Sequence, residues 1–97
     1  MIKIPKTFKL AGLTVTVILD PLFIKEQGKC GEVIYERQTI TLDPTVGEEQ
    51  LGQCFLHELL HYVFYVMGEH ELRNNEKLVD LIAHFLHQVE DTSNYEA

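Results

Sequence analysis

The apolar residues of this chain change their spacing at one point, and that change limits the fold more than any other feature. Before Asp43-Pro44-Thr45 they tend to alternate with polar ones, and after it they recur at about 3.6 residues. A chain patterned in this way folds as strands first and helices second.

Leu13 to Leu19, LTVTVIL, sets Leu and Val against Thr, Thr and Ile, and the β-branched content predicts a strand with one strongly apolar face. Asp20-Pro21 ends it, and Leu22 to Gln27 reads as a short helical turn before the loop Gly28-Lys29-Cys30-Gly31. Glu32 to Glu36 and Thr39 to Asp43 read as strands of a hairpin turning on Arg37-Gln38, which is not one of the favoured turn pairs. From Gly47 to Met67, Leu51, Phe55, Leu59, Tyr62, Val63 and Val66 follow helical spacing, with Glu48 and Glu49 at the favourable end of the dipole and Gly68 as the stop. A second helix is expected from Arg73 or Asn75 to Val89, capped by Asn74 or Asn75, with Leu78, Leu81, Ile82, Phe85, Leu86 and Val89 on its buried side. The tail from Asp91 is expected to fray. The fold class is α+β: a small antiparallel sheet of about three strands followed by two packed helices, in one domain over residues 1–97.

A net charge of −7 argues against nucleic acid as a partner, because that affinity comes from Lys and Arg neutralising phosphates. Beyond Gly47 the basic residues are Arg73 and Lys77, too few for a DNA-reading helix pair. The apolar run Tyr62 to Gly68 is far short of the roughly 20 residues of a membrane span, so no membrane partner is expected. Cys30 and Cys54 are expected as free thiols in the cytoplasm, since Cys54 falls on a helix face and the N-terminus does not resemble a secretory signal.

The long helix carries His57-Glu58-Leu59-Leu60-His61, HELLH. Residues four apart on a helix sit one above the other at a spacing of about 6 Å, so His57 and His61 can present two imidazoles to one ion, with Glu58 beside them. That is the geometry of a zinc-binding HExxH helix, in which Glu58 acts as general base on the zinc-bound water. A metzincin would require glycine at 64 and histidine at 67, where this chain has Phe64 and Met67. The next helix offers Asn75-Glu76-Lys77-Leu78-Val79-Asp80, with Glu76 and Asp80 one turn apart on one face.

HELLH followed by a glutamate and an aspartate in this spacing resembles the gluzincin metallopeptidases, and residues 31–88 look like a very short domain of the ImmA/IrrE type found in phages and prophages. The resemblance implies that Glu76 is the third zinc ligand and that Asp80 orients a ligand histidine, His57 or His61, through its other ring nitrogen. It also implies that Thr39 to Asp43 is a sheet edge on which an extended peptide pairs, so that the substrate is a protein segment such as a regulatory protein. The chain departs from the family in having strand-like residues at 8 to 19 where a helix is usual. The short stretch 62–75 further requires the second helix to fold straight back across the first.

His84 is the alternative third ligand, although about 12 Å of helix rise separates it from Glu76. His87 reads as a surface residue. His70, Tyr65 and Tyr95 are the candidates for steadying a developing oxyanion. Cys54 reads as a small buried residue, with a thiolate contact to the ion as the lesser option. The expected activity is zinc-dependent hydrolysis of a peptide bond; the alternative is a non-catalytic peptide- or protein-binding module that retains a zinc site. Glu58 argues for the enzyme, since a structural site needs no base and is usually closed by four protein ligands.

Overall fold

The computed structural model describes residues 3–95. The architecture is α+β, with a four-stranded mixed sheet covered on one face by helices. The strands are β1 (Thr7–Leu10), β2 (Leu13–Leu19), β3 (Gly31–Ile34) and β4 (Thr39–Leu42), in the spatial order β1-β2-β4-β3. The helices are α1 (Phe23–Gln27), α2 (Glu48–Met67), α3 (His70–Arg73) and α4 (Glu76–Thr92). Instead of fraying from Asp91, α4 continues to Thr92, whose hydroxyl donates to the Gln88 carbonyl at 2.7 Å.

The sheet differs from the expected three antiparallel strands in two ways. The strand expected over Leu13 to Leu19 is β2, and an additional strand, β1, precedes it in a hairpin, because Ala11 and Gly12 take φ values of +51° and +81°, the left-handed pair of a tight two-residue turn. In addition, β2 pairs with β4 in parallel, with Val17 opposite Ile40 and Leu19 opposite Leu42. A parallel neighbour requires a crossover, and here α1 and β3 form it. Buried Asp43 fastens the crossover: one carboxylate oxygen accepts from the Ile24 N–H of α1 at 2.9 Å, and the other accepts from the Thr45 N–H at 2.8 Å and its hydroxyl at 2.6 Å.

This topology moves the sheet edge. β4 lies between β2 and β3, so the free edge beside the helices belongs to β3 and not to Thr39–Asp43. The β3–β4 hairpin is present, but its turn takes four residues, Tyr35 to Gln38, with Gln38 at φ +53°.

Val15, Ile40 and Leu42 of the sheet pack against Cys54, Phe55, Leu56 and Tyr62 of α2, and Ala83 of α4 closes the cluster. Gly31 sits where β3 presses on α2; a Cβ there would lie 2.8 Å from Cys54 Sγ and 3.1 Å from Glu58 Cγ, so only glycine permits the approach. Cys30 and Cys54 are paired as a disulfide, contrary to the expected free thiols, because the start of β3 and the first half of α2 are brought together at a Cα separation of 6.5 Å. The bond ties the edge strand to the helix that carries HELLH.

As the short return demands, α4 folds back onto α2, with Asn75 capping it by accepting the Leu78 N–H at 3.1 Å. The stripe turned to α2 is not the apolar one. Val79 and Ala83 are buried, whereas Leu81, Phe85, Leu86 and Val89 are exposed. Glu76, Asp80 and Ala83 share one face at helical spacing, and Phe85, at 100° per residue, lies on the opposite side. The small residues Val79 and Ala83 allow the close approach that brings the two carboxylates over α2.

Candidate metal centre

On α2, His57 and His61 are one turn apart with their side chains mostly buried, at 20% and 13% exposure. The first turn of α4 sets Glu76 above them. The two histidine Nε2 atoms stand 3.2 Å apart; Glu76 Oε2 is 3.1 Å from the first and Oε1 is 3.0 Å from the second. Asp80, one turn along α4, places Oδ1 3.4 Å from His57 Nδ1.

These three residues form a group able to hold a metal ion, with their ligand atoms within 4.8 Å of one another. Donors on adjacent corners of a zinc tetrahedron with bonds of 2.0–2.1 Å stand about 3.3 Å apart, close to the separations found here. The chemistry of the set points the same way. A carboxylate beside Nδ1 favours the tautomer that keeps the proton there, which leaves the His57 Nε2 lone pair directed at His61 and Glu76. Lone pairs and a carboxylate facing one another repel unless a cation or a proton sits among them.

Glu58 lines the same cavity, a cleft of about 800 Å³ between α2, β3 and the start of α4. Burial pushes its carboxyl up to about 7; His57 offsets part of that rise, and the nearby Glu76 adds to it. A carboxyl with that value at neutral pH can both take and return a proton. Glu32 and Val33 of the free β3 edge form one wall of the cleft, and Tyr65 and Arg73 form its far end.

The structure thus brings His57, Glu58, His61, Glu76 and Asp80 together. It does not bring in the alternative ligand His84, which is exposed on α4 with its ring beside Phe85. Among the oxyanion candidates, Tyr65 lines the cleft. His70 is exposed on α3 and not part of the lining, and Tyr95 is 80% exposed with its hydroxyl toward Glu90. Cys54 is buried and disulfide-bonded, so it offers no thiolate to an ion. Sequence reasoning missed Tyr35 and Arg73 in the lining, and nothing in their local spacing signals it: the hairpin turn and α3 place them there.

Neither family models, curated proteins nor solved structures yield a match to this chain, so the centre stands on its own geometry.

Proposed function

We propose that the protein is a zinc-dependent metallopeptidase that hydrolyses a peptide bond in a protein segment. The observation that carries this reading is the convergence of His57, His61 and Glu76 beside Glu58, in a cleft walled by a free strand edge. Two imidazoles and one carboxylate are a catalytic zinc donor set, which leaves a position open. Zinc held there supplies a Lewis acid and lowers the pKa of water at the open position.

The chain's own residues carry the remaining steps. Among the described residues no strand pairs with the outer side of β3, so its edge offers backbone N–H and C=O groups on which an extended peptide adds as a further strand, bringing its carbonyl over the centre. Glu58 takes a proton from the attacking water as its oxygen bonds to the carbonyl carbon. It then delivers that proton to the amide nitrogen as the C–N bond breaks. Asp80 holds the His57 ring in orientation, and the Tyr65 hydroxyl, which lines the cleft, is a donor available for the oxyanion. The Cys30–Cys54 disulfide favours an oxidising setting over the cytoplasm, where glutathione keeps such pairs reduced.

The test is Glu58→Gln, with zinc content by mass spectrometry and turnover on a randomised peptide mixture measured together. The reading requires turnover to fall by at least about 100-fold while one zinc per chain is kept. Turnover that survives the substitution would refute it, as would a parent protein that takes up no zinc. Zinc retained without any cleavage by the parent would favour the non-catalytic binding module.

A further inference from the structure

At the end of the cleft beyond His61, Tyr35 and Tyr65 are stacked with ring centroids 4.1 Å apart and planes at 16°. The Arg73 guanidinium lies against both, its central carbon 5.5 Å from each ring centroid. These contacts position the guanidinium beside the ring stack without consuming its N–H donors. Among the described residues, no carboxylate oxygen lies within ion-pair distance of Arg73; Lys29, the other cation of the lining, stands 3.7 Å from Glu32.

The remaining ionisable groups of the cleft are mostly acids: Glu32, Glu36, Glu58, Glu76 and Asp80. With zinc held by His57, His61 and Glu76, an anionic group entering the cleft is repelled by Glu32 and Glu36 and attracted at two places, the metal itself and Arg73. A half-buried guanidinium positioned by two rings suits a carboxylate, which it takes with two parallel hydrogen bonds.

We propose that Arg73, braced by Tyr35 and Tyr65, is a specificity-determining subsite for a substrate carboxylate. The proposal rests on the peptidase reading and names the feature by which substrates are chosen. Tyr65 is one helical turn beyond His61, a rise of about 6 Å, and an extended peptide advances about 3.3 Å per residue. The carboxylate accordingly lies about two residues from the bond held over the centre. Tyr35 directly follows β3, so the subsite continues the line of the edge on which the peptide pairs. The carboxylate is either an acidic side chain or the terminal carboxylate of the chain.

The experiment measures binding, so that it does not depend on turnover. Randomised hexapeptides blocked at both ends, each with one fixed Glu or Gln, are offered to zinc-loaded Glu58→Gln protein beside a second set with free C-termini. The expected result is an enrichment of about tenfold or more for Glu over Gln at one position, or for free over blocked C-termini. The first outcome identifies a side chain and the second a chain end. The preference should vanish in the Arg73→Gln variant and persist in part in Arg73→Lys, with zinc retained in both. No carboxylate preference in the parent set, or one unchanged by Arg73→Gln, would overturn the proposal. The peptidase reading fails separately, if the parent protein cuts none of the peptides while the binding preference still depends on Arg73.

Discussion

His57 Nδ1 lies 3.4 Å from Asp80 Oδ1, while the opposite nitrogen of the same ring faces His61 and Glu76. One imidazole is thereby held at both ends by carboxylates from successive turns of α4. Replacing Asp80 with Asn removes the charge that orients the ring and leaves the metal donors in place. Zinc affinity should fall about tenfold, the low end of the usual range for such partners, because Asp80 is largely exposed. Competition with a chromophoric chelator measures this, and an unchanged affinity would mean that Asp80 does not orient the ligand.

The disulfide closes a long loop, since Cys30 and Cys54 are 24 residues apart. By the chain-entropy argument, opening it should cost about 3 kcal/mol. Urea unfolding of the oxidised and reduced protein is the measurement. Equal midpoints would show that the bond does not constrain the unfolded chain as the argument requires.

Two aromatic substitutions should separate the two sides of the helix pair. Tyr62 is 1% exposed in the core, and its replacement by Ala should cost about 3 to 5 kcal/mol. Phe85 is 58% exposed, and its replacement by Ser should change stability by no more than about 0.5 kcal/mol. A large loss at Phe85 would mean that the outer face of α4 is covered in solution.

Asp43 should govern part of the acid limb of stability. The Thr45 hydroxyl, then the Ile24 and Thr45 backbone N–H groups, hold its carboxyl below the usual carboxylate range, against the opposing effect of burial. A carboxyl depressed in the folded state contributes stability that is fully present above its unfolded pKa of about 3.9 and is lost as pH falls through the lower folded value. In Asp43→Asn the protein should be less stable at neutral pH, and the difference from the parent should shrink below about pH 4. Thermal melts between pH 2 and 7 would show this, and a constant difference across that range would rule it out.

Much of the candidate metal centre was readable because it depends on local geometry. Two histidines four apart must share a helix face wherever that helix sits, and Glu76 and Asp80 share one for the same reason. The change of apolar period, the stop at Gly68 and an asparagine cap at 74 or 75, which the structure places at Asn75, are likewise short-range effects of backbone hydrogen bonding. These features the amino-acid order determines by itself.

Long-range geometry decided the rest. Whether β2 meets β3 or β4 depends on how the crossover packs, and that choice moved the free edge from β4 to β3. The Cys30–Cys54 pair and the placement of Arg73 beside Tyr35 and Tyr65 arise where distant segments converge, with no periodic signal in either segment. For α4, hydrophobic pattern alone favours burying Phe85 and Val89, whereas the fold turns Val79 and Ala83 inward. A helix can present only one stripe to its neighbour, and the tertiary packing selects the narrow one that carries the carboxylates to the histidines.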